Sequence, residues 1–265
     1  MTMLKQILNQ AGVREFGVCP MPPEDALLDC RAKSRLPENA RSVIVCLFPY
    51  YSPGLEGNIS RYAMVEDYHK VAREILTPAC ESLRQAYAAE FSWFADNSPI
   101  PEVSAAVQAG LGVQGRNGLL ITPDYGTYVF LGEIITDHLF DYSAPAQGSC
   151  LGCGRCEAAC PGGALCGGAV DISRCVSDIS QRKGELTPSE TELVRAGGLL
   201  WGCDRCQLVC PHNREVKQTH IQAFQKNIVA SVAYGQIRPL CKTRAFGFRG
   251  PRVLERNYHI LYGVD

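Results

Sequence analysis

Apolar residues in MTMLKQILNQAGV recur every three to four positions, which predicts a helix over residues 2–11. EFGVCPM (15–21) and SVIVCLFPY (42–50) are rich in β-branched and aromatic residues and bounded by proline, and they read as strands. The stretch at 58–91, NISRYAMVEDYHKVAREILTPACESLRQAYAAEF, returns to helical spacing. Pro78 marks a break or kink within it, because proline lacks the amide that the preceding turn needs. FSWFAD (91–96) predicts a strand ending at the turn formers Asn97, Ser98 and Pro99. VSAAVQAGLG (103–112) predicts a helix closed by glycine. GLLITP and TYVFLGEIIT pair as a hairpin around Asp124, Tyr125, Gly126 and Thr127. Strands alternating with helices predict an α/β domain over 1–143. SAPAQGS (143–149) reads as a linker, and from Cys150 the pattern changes to short cysteine-rich loops and small helices over 150–216. Residues 217–265 then form a short helical, basic extension.

Composition adds a packed core and a compartment. A hydrophobic content of 46% and a charged content of 20% over 265 residues are ordinary globular values. No apolar run approaches the ~20 residues that span a bilayer, and the N-terminus lacks the apolar region of a signal peptide. A cytoplasmic protein is expected, with no membrane contact. The net charge of −1 is unevenly spread: residues 211–265 carry nine Lys/Arg against three Asp/Glu, leaving 17 against 24 over residues 1–210. Arg238, Lys242, Arg244, Arg249, Arg252 and Arg256 make this tail either a polyanion contact or the solvated face of a last helix.

Cysteine spacing carries the chemistry. Fourteen cysteines in a chain of this size, seven of them in tight groupings, favour metal ligation over a disulfide framework. CLGCGRCEAACP supplies Cys150, Cys153, Cys156 and Cys160, and CDRCQLVCP supplies Cys203, Cys206 and Cys210. C-x2-C-x2-C-x3-C-P is the run in which three cysteines hold one [4Fe–4S] cluster and the fourth crosses to another. By that crossing, Cys150, Cys153 and Cys156 share a cluster with Cys210, while Cys160, Cys203 and Cys206 lack a fourth ligand. Cys166 and Cys175 are the candidates. Cys175 is favoured because it lies far enough away to close the cage from an independent element. Two all-thiolate zinc sites are the alternative, although zinc knuckles usually pair two C-x-x-C units. Cys19, Cys30, Cys46, Cys80 and Cys241 stand alone and read as small hydrophobes.

A plain ferredoxin would not need so large a preceding domain, so the clusters are expected to feed a catalytic site there. NISRYAMVEDYHKVAREIL, FADNSPIPE, AGLGVQGRNGLLITPDYGTYVFLGEIITD and WGCDRCQLVCPHN, in this order, resemble the epoxyqueuosine reductase family. The resemblance covers roughly residues 10–215. It implies an α/β cobalamin-binding-type domain followed by a ferredoxin-like α+β domain with two [4Fe–4S] clusters. It also implies a cobalamin cofactor and deoxygenation of an epoxide on a modified tRNA base. The implied ligands are Cys150, Cys153, Cys156 and Cys210 for one cluster, and Cys160, Cys175, Cys203 and Cys206 for the other. Asp96, Pro99 and Glu102 fall on the family's proton-donor segment, with Val103 in place of its arginine. Asp96 is the implied general acid, with Trp93 and Phe94 expected to shape a partly apolar pocket around it. Asp96, Leu120, Leu131 and Ser177 are the implied cobalamin contacts, and the glycines of AGLGVQGRNGLL are expected to admit a large planar ligand.

Asp67-Tyr-His69-Lys-Val-Ala72 nearly matches the D-x-H-x-x-G signature in which histidine ligates cobalt. Ala72 and the helical pattern instead leave His69 a structural or substrate-facing residue. The chain corresponds to a short form without the family's C-terminal helical-repeat domain. Its expected partners are tRNA or a small-molecule substrate, and an external electron donor such as ferredoxin or flavodoxin; a monomer is expected. A cobalamin/Fe–S reductase for another small substrate and a non-catalytic Fe–S electron carrier are the alternatives.

Overall fold

The computed structural model describes residues 2–263. In chain order its elements are α1 (Thr2–Ala11), β1 (Phe16–Pro20), β2 (Ser42–Pro49), α2 (Arg61–Met64), α3 (Tyr68–Tyr87), β3 (Phe91–Phe94), α4 (Glu102–Gln108), β4 (Val113–Gln114), β5 (Leu120–Ile121) and β6 (Val129–Thr136). There follow α5 (Arg155–Ala158), β7 (Leu165–Cys166), β8 (Ala169–Val170), α6 (Val176–Gln181), α7 (Pro188–Gly197), α8 (Arg205–Leu208), α9 (Gln222–Gln225), α10 (Ile237–Leu240) and α11 (Pro251–Tyr262). The chain divides into two compact units. One comprises residues 1–49, 69–114 and 119–150, and the other residues 50–68, 115–118 and 151–265.

The first unit is built on a four-stranded sheet in the order β1-β2-β6-β3, antiparallel at every pairing. All eight residues of β2 are buried, as a strand covered on both faces must be. Val43, Val45, Leu47 and Ile135 pack with Ala105, Ala106 and Ala109 of α4 on one face. On the other, a side chain at Gly132 would strike Phe48 and Leu76 of α3, so the glycine is fixed by helix-on-sheet packing. α3 runs through Pro78 without ending, so of the break or kink expected there the break does not occur. The predicted 120s hairpin does not form. β5 pairs with β4, and β6 lies between β2 and β3, leaving only a bridge between Thr122 and Gly126. The reason is burial: β6 reads VFLGEIIT, and its last five residues need cover that a two-stranded hairpin cannot give.

The second unit holds both cysteine motifs except Cys150, the last residue of the first unit. Each motif folds as a loop, a four-residue helix (α5 or α8) and a Cys-Pro exit. Its apolar cluster centres on Trp201, Phe246, Ile59 and Leu254, with the Trp201 indole donating to Tyr62 Oη at 2.6 Å. α7 carries a capping box between Thr187 and Glu190, with Pro188 at its first position and Gly198 closing it in the left-handed conformation. α11 fastens the unit: the fully buried Asn257 amide donates to the carbonyls of Ser180 and Leu200, each at 2.7 Å.

Candidate functional site

Asp96 follows β3 at the sheet edge and takes a left-handed backbone, φ 63°, a region aspartate tolerates better than most residues. Its side chain is 63% exposed, with Oδ2 at 3.4 Å from Nε2 of His69 in the first turn of α3. Its backbone N–H donates to Glu102 Oε1 at 3.0 Å. The apolar pocket expected from Trp93 and Phe94 is not built around it. Phe94 is fully buried in the core, with the Arg35 guanidinium 4.4 Å above its ring. Burial falls instead on two neighbouring carboxyls. Glu133 of β6, opposite Phe94, has no exposed surface, and burial raises its pKa to about 8, with the Ser98 hydroxyl opposing. Glu102 is held well above the usual carboxylate range, first by burial, then by the charges of Glu133 and Asp96. The Asp96 amide and His69 oppose that rise. Sequence reasoning found Asp96 and saw Glu102 only as part of a motif. It missed Glu133, whose one signal is an acidic residue inside an otherwise apolar strand.

The other implied contacts are placed as follows. Leu120 on β5 is 3% exposed within the core, and Leu131 on β6 is half-buried against the same cluster. Gly110 and Gly112 serve the chain itself. A Cβ at Gly110 would meet the Ala144 carbonyl at 2.1 Å, and one at Gly112 the Ile121 carbonyl at 2.3 Å. Asp96 and Leu131 therefore remain accessible to a corrinoid in the first unit, whereas Leu120 and these glycines are committed to packing. Ser177, on α6 in the second unit, is half-buried beside Gln181.

In the second unit Cys203 and Cys206 lie near Cys175, and Cys203 also lies near Cys160. Burial first, then these neighbours, raise the Cys203 and Cys206 thiols, Cys206 to about 12. Donors point at the sulfurs. Ala164 N–H bonds Cys160 Sγ at 3.2 Å, the Arg205 amide bonds Cys203, and the buried Asn117 side chain bonds Cys206. Between Cys203 and Cys206, Asp204 is 5% exposed and accepts from the Arg61 amide at 2.7 Å and from Gln207. Cys166 sits exposed at the turn of the β7–β8 hairpin. Among the described residues no three Cys, His, Asp or Glu side chains converge on a single-ion position.

The tail is less open than its composition implied. Arg244 is buried, donating to the carbonyls of Met64 and Asn227, and Arg256 donates to those of Ser180, Arg182 and Gly184. Arg238 pairs with Glu255, and Phe246 is core. Lys242, Arg249, Arg252 and Phe248 are exposed, with the Arg249 guanidinium 4.6 Å from the Phe248 ring.

Residues 149–213 match the family model for a 4Fe-4S double cluster binding domain, and residues 31–97 match that for epoxyqueuosine reductase QueG. An epoxyqueuosine reductase of Lactococcus garvieae is 36% identical over 163 residues, 60% of this chain and 46% of that protein. Over these segments the chain is similar to the epoxyqueuosine reductases. It spans about half the length of the first curated family members it matches. The fold agrees with the crystal structure of an epoxyqueuosine reductase with an epoxyqueuosine-modified tRNA-Tyr stem loop, at TM-score 0.83 and 24% identity, covering 98% of this chain and 80% of that one. A more distant fold likeness, TM-score 0.56 at 17% identity over 84% of this chain and 32% of the other, is to a reductive dehalogenase whose structure suggests a mechanism for B12-dependent dehalogenation.

Proposed function

We propose that this chain is a reductase that removes the epoxide oxygen of epoxyqueuosine in tRNA, with electrons relayed through two [4Fe–4S] clusters to a cobalamin. The clusters are held by Cys150, Cys153, Cys156 and Cys210, and by Cys160, Cys175, Cys203 and Cys206. The amide donors at Cys160, Cys203 and Cys206 stabilise thiolate charge and help set the potential. A bound corrinoid would supply the reducing chemistry at carbon. Asp96 and Leu131 are the residues of the first unit that would meet it.

The observation that carries the reading is Asp96, an exposed carboxyl beside His69 with its backbone N–H held by Glu102, on the strand end where the family motif falls. Opening an epoxide leaves an alkoxide, and Asp96 delivers the proton to that oxygen while His69 orients the carboxyl. Lys242, Arg249 and Arg252 suit RNA phosphates, and Phe248 a base face. A ferredoxin or flavodoxin serves as donor to a cytoplasmic monomer.

The test is conversion of an epoxyqueuosine-containing stem loop by the anaerobically reconstituted chain under a chemical reductant. Wild type is expected to form queuosine, and Asp96→Ala to lose about 10²–10⁴-fold in kcat, the usual contribution of a positioned acid. An unchanged kcat in Asp96→Ala would remove Asp96 from the chemistry. Turnover of the free nucleoside but not the stem loop would replace tRNA by a small-molecule substrate.

A further inference from the structure

Epoxide deoxygenation consumes two electrons and two protons and releases one water, so a single aspartic acid carries half of the protons for each turnover. The other half needs a source once bound substrate covers the exposed Asp96 carboxyl. Two carboxyls behind Asp96 have no role in the scheme above. Glu133 lies on the central part of β6, opposite Phe94 and so two residues from Asp96 in register, with no exposed surface and the Ser98 hydroxyl as its one neighbouring donor. A buried carboxylate with a single hydroxyl beside it is disfavoured, which makes the protonated form its resting state. Glu102 opens α4 between the two. One of its oxygens accepts the Asp96 N–H at 3.0 Å, which leaves the other to carry a proton.

We propose that Glu133 and Glu102, both protonated at rest, hand one proton to the Asp96 carboxylate within each turnover. The inference rests on the epoxide-reducing role given above. After Asp96 has protonated the substrate oxygen, the O–H bond at Glu102 breaks and one forms at Asp96. Glu133 then gives its proton to Glu102, and the negative charge comes to rest on Glu133. Asp96 supplies the second proton, water leaves, and two solvent protons return through the exposed Asp96, one staying there and one passing by way of Glu102 to Glu133. No electron moves in these steps.

The surroundings favour this sequence. Burial raises both carboxyls, and each stands in the other's field. The titratable groups facing Glu133 are Glu102 of α4, Cys19 of β1 and Cys46 of β2, while Asp96 and His69 face Glu102. Cys19 and Cys46 are held protonated by burial and Asp96 is acidic, so these neighbours resist a second negative charge on the pair, with His69 and the Asp96 amide opposing at Glu102.

The experiment joins infrared spectroscopy of the cofactor-free chain with kinetics of the reconstituted one. At pH 7 wild type is expected to show a protonated-carboxyl stretch that Glu133→Gln removes. In turnover Glu133→Gln and Glu102→Gln are each expected to lower kcat about 10²-fold with KM unchanged, the lower end of a proton donor's contribution. Wild-type kcat is expected to fall as pH rises through the pair's titration, and that limb to vanish in Glu133→Gln. A wild-type spectrum without the band at pH 7, or a Glu133→Gln enzyme with wild-type kcat and pH profile, overturns the proposal. Loss of KM and kcat together, with the pH profile unmoved, overturns it in favour of a structural role. A wild-type chain showing the band but reducing no epoxide overturns the epoxide-reducing role and this use of the proton with it.

Discussion

Glu133 is costly to the fold that contains it. An acid whose folded pKa is raised keeps its proton where the unfolded chain has lost it, so the native state binds more protons and stability falls as pH rises. For Glu133 the window runs from its ordinary 4.5 to about 8. Its contribution is neutral below that window and most destabilising above it. Glu133→Gln is therefore expected to raise the melting temperature by an amount that is small near pH 4.5, grows with pH and levels off above about 8. Thermal denaturation across that range checks it, and a pH-independent difference would contradict it. A fully buried residue that weakens its own domain is retained for a reason other than packing, which fits the carboxyls behind Asp96. Asp96 itself was legible through its motif and through Asn-Ser-Pro after a strand. Its burial was not: chain-neighbour Phe94 turns into the core, and the polar surroundings come from His69, 27 residues away.

Among elements, local pattern served well where burial is one-sided or complete, as in α1, β1, β2 and β3, because periodicity records the face turned inward. It failed at β6. VFLGEIIT and the preceding GLLITP flank a good turn, yet β6 gains more by inserting between β2 and β3, a long-range pairing that no turn signal reports. Pro78 misled for a related reason, since helix α3 holds its apolar face against the sheet on both sides of the proline and packing outweighs one missing hydrogen bond. α11 shows how few contacts can anchor an element. Asn257→Ala would leave the Ser180 and Leu200 carbonyls buried without their donor, and is expected to destabilise by about 2–4 kcal/mol, read by denaturant titration. A change below about 0.5 kcal/mol would show that the helix is held by its apolar face alone.

Across the whole molecule, the cysteine spacing announced two clusters while the composition of each compact unit stayed hidden. Residues 50–68 and 115–118 belong with the cluster motifs through partners far off in sequence. Asn58 exchanges hydrogen bonds with Val232 at 3.0 and 2.8 Å, its carbonyl accepts from Leu200 N–H at 2.7 Å, and Asn117 reaches Cys206. Pairings so far apart in sequence leave no trace in periodicity, and the small polar residues that make them look like ordinary loop. The basic tail misled in the opposite sense, since two of its six named arginine and lysine side chains are spent on buried carbonyls and a third on Glu255.

If this chain feeds electrons through two clusters to a corrinoid, as proposed, its metal content must show it. The full chain, reconstituted anaerobically with iron, sulfide and cob(II)alamin and freed of unbound corrinoid, is expected to carry about eight iron and one cobalt. Cys175→Ala is expected to lower iron to about four, and Cys166→Ala to leave it at eight. Eight iron without cobalt would contradict the account and leave an electron carrier, and zinc in place of iron would contradict both.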